Sequence, residues 1–215
     1  MVSTFKLFKI GNQTRKENTR VCSLIGKAPS LQLGRCRFNS DQYPLGLLPN
    51  SLQKIIIKTD GKNMMTIYFY GTSQQPYGCF SNFSQQGFEL DGLWWPTNEH
   101  YFQAQKFVET DRSWFDKIQT VKTPKEAAKM GRDRKHPLRR DWEQVKDEIM
   151  QQGVLRKFET HADICEILLA TGDEVIAENS PVDYYWGCGQ DGSGKNRLGE
   201  ILMAVREILR QQQNC

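Results

Sequence analysis

The strongest hydrophobic pattern lies at the C-terminal end of the chain. Between Leu198 and Leu209 apolar residues recur every three or four positions, a spacing that places them on one face of a helix. The same spacing, together with cap residues and flanking glycines, predicts further helices upstream. These begin after Thr97, after Thr123 and after Asp141, and a short one spans Ala162 to Ala170. The second half of the chain is therefore predicted to be mainly helical.

Strand-like patterns come earlier in the chain. The runs "KIIIK" and "NMMTIYFYG" flank Asp60-Gly61, a pair that is typical of a tight hairpin turn. The segment "FELDGLWWP" repeats the arrangement around Asp91-Gly92. Because few strands accompany several helices, we predict an α+β fold, mainly α-helical with a small β-hairpin element. Its folded body is expected to span residues 51–215, with no internal repeat.

Composition excludes several classes of protein. A chain of 215 residues with 38% hydrophobic content suits one globular domain plus an extension. No apolar run approaches the roughly 18 residues of a membrane span, and no secretory signal is recognisable, so we expect a soluble, cytoplasmic protein. Six scattered cysteines form no C-x-x-C, and no H-E-x-x-H or G-x-S-x-G occurs. We predict neither a metal nor a cofactor.

The positive charge is concentrated at the N-terminus. The chain carries +4 overall, but residues 1–40 hold eight Lys and Arg against one Glu, which leaves −3 for the remainder. Residues 1–50 are therefore predicted to be a basic extension. It could be an organellar transit peptide, a segment attracted to RNA, or an extension under weak selection. A transit peptide would make the protein organellar.

The segment "WWPTNEHYFQAQKF" combines a helix start with several reactive side chains. Helical spacing places Glu99, Gln103 and Lys106 on one face. Such residues commonly form a solvated ladder, with Glu99 favoured in the first turn by the helix dipole. A second interpretation is a reaction site in which Trp95 gives the acid an apolar wall and raises its pKa.

A glycine-rich segment, "DYYWGCGQDGSGKNRLG", precedes the last helix. It comes within one residue of a phosphate-binding P-loop, but Asn196 replaces the required hydroxyl and no buried apolar strand precedes it, so a P-loop ATPase is rejected. Backbone N–H groups with Lys195 and Arg197 could still hold an anion, and Trp186 could stack on a base. The glycines could equally serve only a tight turn.

Two further segments offer weaker candidates. "FSNF" presents Ser81 and Asn82, which could line a pocket or simply form a packed turn. "MGRDRKHPLRRDW" is rich in arginine, and although such runs are usually solvated, Arg132 is a candidate phosphate ligand.

In this order, "FSNF", "WWPTNEHYFQAQKF", "AAKMGRDR" and "YYWGCGQDGSGKNRLGEILM" resemble the YbiA-like family, also called the NADAR family, over about residues 67–209. The resemblance implies a compact, mainly helical single domain with N-glycosidase activity. Bacterial members hydrolyse the first two riboflavin-pathway intermediates, and other branches remove ADP-ribose from guanine in nucleic acid. The resemblance also implies that Glu99, Lys106, Trp186 and the loop from Gly187 to Asn196 belong to the pocket.

Chemistry suggests a role for each of these residues. Glu99 is our candidate acid for the departing nitrogen, and Lys106 could form a Schiff base with the sugar, with direct water attack as the alternative. Trp186 would stack on the base, and Lys195 and Arg197 would bind phosphate. The remaining candidate substrate-binding residues are Ser81, Asn82, Trp95, Gln103, Arg132, Asp183, Gly187 and Asn196.

The expected partner is a small phosphoribosylamino-pyrimidine. Nucleic acid is expected only if the substrate is ADP-ribosylated guanine, which the −3 charge of the body disfavours. A nucleotide or ADP-ribose binding module without turnover is the alternative from a different class of protein. No membrane partner is expected, and the sequence does not predict an oligomeric state.

Overall fold

A computed structural model describes residues 65–213 of the chain. Six α-helices and four short strands make up this part, and the predicted fold class, α+β and mainly helical, is confirmed. The helices are α1 Asn98–Ala104, α2 Arg112–Thr120, α3 Pro124–Met130, α4 Trp142–Thr160, α5 Ala162–Ala170 and α6 Arg197–Gln213. The strands are β1 Thr66–Phe69, β2 Phe88–Leu90, β3 Leu93–Trp95 and β4 Val175–Glu178. No helix within residues 65–213 is long and apolar enough to cross a membrane.

The strands form two separate two-stranded sheets. β2 and β3 form the antiparallel hairpin predicted around Asp91-Gly92, and both turn residues adopt positive φ, 54° and 73°. That conformation matches the type I′ turn which two-residue hairpins prefer. β1 pairs in parallel with β4, a strand that the sequence pattern did not reveal. The hairpin predicted around Asp60-Gly61 begins outside the described residues. The predicted domain boundary near residue 50 also lies outside them.

Helix starts follow the predicted caps with one exception. The Thr97 side chain accepts from the His100 N–H, and Thr123 forms a full capping box with Glu126. Asp141 does not cap α4 with its side chain, because its carboxylate instead binds the guanidinium of Arg139. α2 was not predicted.

An aromatic core joins the helices to both sheets. α4 packs against α1, α5 and α6, and α6 covers β4. Gly153 allows α4 to approach α1 closely, since a Cβ there would lie 2.1 Å from Asn98 Oδ1. The buried aromatic residues are Phe69, Phe80, Phe88, Trp95, Tyr101, Phe102, Phe107, Phe115, Trp142 and Phe158. The polar face of α1 therefore points into the protein and not into water.

Candidate active site

The polar face of α1 is buried. Glu99, Gln103 and Lys106 are only 7%, 6% and 9% exposed, which excludes the solvated ladder. Gln103 Nε2 donates a 2.8 Å hydrogen bond to Glu99 Oε1. Burial raises the pKa of Glu99, although the bond from Gln103 and the charge of Lys106 oppose the shift. The carboxyl group is thus moved towards the protonated form that a general acid requires.

Lys106 lies in the short 3-10 helix Gln105–Phe107 that continues α1. Its Nζ donates to the Gly131 carbonyl at 3.2 Å and lies 5.5 Å and 5.4 Å from the ring centroids of Phe102 and Trp142. Burial lowers the pKa of Lys106 to about 8, and the charge of Glu99 opposes this change. A substantial fraction of this lysine is therefore an unprotonated amine in mildly basic solution.

Two further carboxylates share the electrostatic environment of Glu99. Glu178 ends β4, and burial raises its pKa to about 7, assisted by the negative charges of Asp183 and Glu99. Asp183 Oδ1 accepts from the backbone N–H groups of Tyr185 and Trp186, at 2.9 Å and 2.7 Å. Asp183 was a predicted site residue, whereas Glu178 was missed because its strand carried no recognisable signal. Across the described residues, no His, Cys, Asp or Glu cluster has an arrangement that could hold a metal ion.

The "FSNF" turn supports the start of α1. The Asn82 carbonyl accepts the Glu99 N–H at 3.0 Å, and Asn82 Oδ1 accepts from Asn98 Nδ2 at 2.8 Å. Ser81 is buried, and its Oγ accepts from the Phe83 N–H within the turn itself. Asn82 therefore lies next to the acid, while Ser81 shapes the turn that presents it.

The ring of Phe102 lies between Trp186 and Lys106 and contacts both. The Trp186 ring packs edge-on against Phe102 at 5.2 Å, and the ammonium of Lys106 lies over that same phenyl ring. The indole is partly exposed, so one part contacts the core while another remains available to a ligand. The structure thus brings Trp186 and the Glu99, Gln103 and Lys106 face into one region.

Several backbone N–H groups of the predicted anion cradle before α6 already have partners. Backbone N–H groups from Gly194 to Leu198 already donate to carbonyls of residues 184–188, so they are not available to a phosphate. Gly187 is packed within this closed loop, where a Cβ would lie 2.8 Å from Ser180 Cβ. Asn196 joins the loop to β4, accepting from the Glu178 N–H and donating to the Ile176 carbonyl. These internal hydrogen bonds occupy the N–H groups of residues 194–198, and the role of the loop as an anion site stays a prediction.

Side chains near this loop also have structural partners. Arg197 forms ion pairs with Asp147, at 2.7 Å, and with Glu200. Lys195 is exposed, with its ammonium 5.2 Å from the centroid of the Tyr185 ring. Of the two predicted phosphate ligands, Arg197 is therefore already paired with two carboxylates, whereas Lys195 forms no ion pair within residues 65–213.

Trp95 belongs to the core and does not line an accessible pocket. It is 1% exposed, with Tyr101 and Phe115 packed edge-on at 5.3 Å and 5.6 Å. Its Nε1 donates to the Leu90 carbonyl at 3.4 Å, within the β2–β3 hairpin. The interpretation of Trp95 as a ligand-contacting residue is wrong, because the hairpin encloses the indole.

Arg132 supplies positive charge at the site. Its positive charge lowers the pKa of both Glu99 and Lys106, and the charge of Arg134 also lowers the pKa of Lys106. Both arginines are exposed, and within residues 65–213 neither forms an ion pair. Their exposed guanidinium groups are therefore free of internal carboxylate partners in the described part of the chain.

Comparison with known proteins identifies relatives of this chain. The NADAR domain model matches residues 68–210. A protein of Nostoc punctiforme named N-glycosidase is 55% identical over 147 residues, covering 68% of this chain and 94% of its own. N-glycosidase YbiA of Escherichia coli is 50% identical over 143 residues, covering 66% and 88%.

The solved NMR structure of Escherichia coli YbiA superposes with a TM-score of 0.66 at 46% identity, covering 71% of this chain and 89% of that one. A longer relative is the riboflavin biosynthesis protein PYRR, chloroplastic, of Zea mays. It is 41% identical over 157 residues, which is 66% of this chain and 25% of that protein.

Proposed function

The chain belongs to the NADAR family, and on that premise we propose that it is a hydrolase acting on an N-glycosyl bond. Two of its relatives are named N-glycosidases. The observation that carries the proposal is the buried Glu99 and Lys106 pair beside Trp186. Burial favours the neutral form of both groups, so one active site offers a proton donor and an amine nucleophile together.

The proposed substrate is a phosphoribosylamino-pyrimidine of riboflavin biosynthesis. The maize relative is named a riboflavin biosynthesis protein, although this chain spans only a quarter of its length. A flat pyrimidine suits the partly exposed indole of Trp186, since aromatic faces stack on heterocyclic bases. The sugar phosphate would bind Arg132 and Arg134, which replace the closed loop before α6 as the anion-binding element.

The proposed reaction proceeds through the open-chain form of the ribosylamine. The Lys106 amine adds to C1 of the imine, and the C1 to nitrogen bond of the substrate then breaks. Glu99 protonates the departing nitrogen, which leaves as the free aminopyrimidine while a Schiff base forms on Lys106. Water then adds to C1, restoring the lysine amine and releasing ribose 5-phosphate. Direct attack of water on C1 is the alternative, in which Lys106 only provides charge.

One experiment tests the activity and the substrate together. Purified protein is incubated with the pyrimidine phosphoribosylamine and, separately, with DNA that carries ADP-ribosyl-guanine, and products are followed by mass spectrometry. We expect free aminopyrimidine and ribose 5-phosphate from the first substrate. Release from DNA alone would replace the proposed substrate with ADP-ribosylated guanine. Binding of both without turnover would show a binding module.

Borohydride trapping tests the Schiff-base step. Reduction during turnover should add the mass of the ribose phosphate to wild-type protein, and peptide mapping should place it on Lys106. The matched control is Lys117→Met, which removes an exposed lysine and should be trapped like wild type. Turnover by Lys106→Met without any trapped adduct would exclude the Schiff base and leave direct water attack.

A further inference from the structure

Lys157 is a buried lysine that the proposed chemistry does not use. It lies on α4, and only 1% of it is exposed. Its Nζ donates to the Cys79 carbonyl at 2.5 Å, to the Ser81 carbonyl at 3.0 Å and to Ser84 Oγ at 2.6 Å. All three acceptors belong to one turn, residues 79–84. No carboxylate in the described part of the chain forms an ion pair with this ammonium.

Lys157 and Ser84 bind the same two carbonyls. The Ser84 hydroxyl lies 2.8 Å from the Ser81 carbonyl and 3.2 Å from the Cys79 carbonyl, and Lys157 Nζ donates to both. An ammonium, with three N–H groups, can donate to both carbonyls and to Ser84 Oγ, whereas a neutral amine, with two, can donate to the carbonyls while its lone pair accepts from the Ser84 hydroxyl. In either form Lys157 holds Cys79, Ser81 and Ser84 together.

The same turn supports the candidate acid. Two consecutive peptide units of the turn are held, since the Ser81 carbonyl accepts from Lys157 and the Asn82 carbonyl, one unit later, accepts from the Glu99 N–H. A change in the φ or ψ of Asn82 would shift one carbonyl relative to the other. Asn82 Oδ1 adds a second bond to α1 through Asn98. Lys157 is thus connected to the backbone of Glu99 through a short series of hydrogen bonds.

We propose that Lys157 is a positioning residue for Glu99, acting through the turn at residues 79–84. Burying an ammonium without a carboxylate partner is costly, and a packing role alone would be served by an apolar side chain. The lysine instead selects the one turn conformation in which the Asn82 carbonyl meets the Glu99 N–H. The effect on turnover rests on the proposed function, whereas the effect on the Glu99 backbone does not.

The test compares Lys157→Met, which keeps an unbranched side chain but removes the ammonium, with Leu209→Ala. The control removes buried volume from α6 and touches none of these hydrogen bonds. Amide hydrogen exchange of the Glu99 N–H is measured below the pKa of Lys157, under conditions where both variants are folded. We expect exchange in Lys157→Met to be about tenfold faster than in Leu209→Ala. We also expect kcat to fall about tenfold while KM stays within about twofold, because the acid and not the binding surface is displaced.

The two proposals fail in different ways. If Lys157→Met has the same Glu99 N–H exchange rate and the same kcat as Leu209→Ala, the proposed role of Lys157 is overturned. If wild-type protein releases no base, the proposed function fails, and the exchange comparison still decides the role of Lys157. Should Lys157→Met not fold, Ser84→Ala takes its place, because it removes one acceptor and keeps the ammonium. Its control is Ser113→Ala, which removes an exposed hydroxyl. Faster exchange of the Glu99 N–H in Ser84→Ala than in Ser113→Ala supports the proposal, and equal exchange overturns it.

Discussion

Burial shifts the pKa values of Glu99 and Lys106 in opposite directions. Both shifts favour the neutral forms that the proposed reaction requires. A low-dielectric environment favours the neutral form of any titratable group, so it raises the pKa of the acid and lowers that of the amine. The remaining attraction between their charged forms opposes both shifts. A proton donor and a nucleophile can therefore coexist on one helical face.

The pKa of Lys106 predicts the pH dependence of turnover. If the Lys106 amine attacks the sugar and Glu99 donates the proton, kcat/KM depends on both ionisations and should follow a bell-shaped pH profile, with one limb set by the Lys106 pKa of about 8. Steady-state kinetics across acidic to basic pH measure this profile. A profile without a limb near pH 8 would contradict the nucleophilic role.

Gly131→Ala should disturb the acid without changing any catalytic group. The residue has φ −64°, so alanine fits the backbone, but its Cβ would lie 1.7 Å from Gln103 Oε1. Gln103 would have to leave Glu99, and we expect kcat to fall about tenfold, as for other small displacements of active-site groups. Lys129→Ala, two residues earlier and exposed, is the control. Equal kcat for the two variants would show that Gln103 does not position the acid.

At the scale of elements, local signals were informative and long-range ones were absent. Thr97, Thr123 and Asp91-Gly92 each specify a cap or a turn within a few residues, and all three act as predicted. α2 was missed because only Phe115 and Ile118 are buried in it, too few to show a period. β4 was missed because its partner β1 is distant in sequence and its four residues carry no turn signal.

The site was predicted in part for the same reason. Spacing on a helix correctly placed Glu99, Gln103 and Lys106 together, but it could not show that the core covers them. For the loop before α6, the sequence could not show which carbonyls accept its N–H groups.

Gly153→Ala should destabilise the contact between α4 and α1. The added Cβ would lie 2.1 Å from Asn98 Oδ1 and 2.7 Å from Tyr101 Cδ1, so both helices must shift. We expect a loss of about 1–3 kcal/mol in the free energy of unfolding, the usual cost of overpacking. Urea denaturation measures it, with Gln151→Ala on the same helix as control. A variant as stable as the control would show that α4 and α1 can move apart without a measurable loss of stability.

Lys157 should make stability depend on pH. Burial lowers its folded pKa to about 7, below the value of roughly 10.4 for an unfolded lysine, so the unfolded state binds more protons between these values. The contribution of Lys157 to the free energy of unfolding therefore increases as pH rises between these two pKa values. In thermal denaturation, the advantage of wild type over Lys157→Met should grow with pH, and parallel curves would contradict this.

On the scale of the whole molecule, basic charge and candidate chemistry occupy different parts of the chain. The basic extension precedes the described residues, whereas the residues of the site fall between Asn82 and Trp186. Removing residues 1–50 should leave kcat/KM and the melting temperature close to wild type. It should weaken nonspecific binding to nucleic acid and flatten its dependence on salt, because counterion release follows the number of basic contacts. Loss of turnover on truncation would place part of the site in the extension.

The parallel pairing of β1 with β4 has a consequence for the order of folding. Thr66 pairs with Val175 and Phe69 with Glu178, so this small sheet joins segments that are 109 residues apart in the sequence. Contacts of such large sequence separation close slowly, because chain entropy must be lost before they form. On a ribosome, Glu178 also emerges after Glu99 and Lys106. The acidic cluster around Glu99 is therefore completed only after β4 has been synthesised, so a chain truncated before β4 would carry the acid and the amine without Glu178.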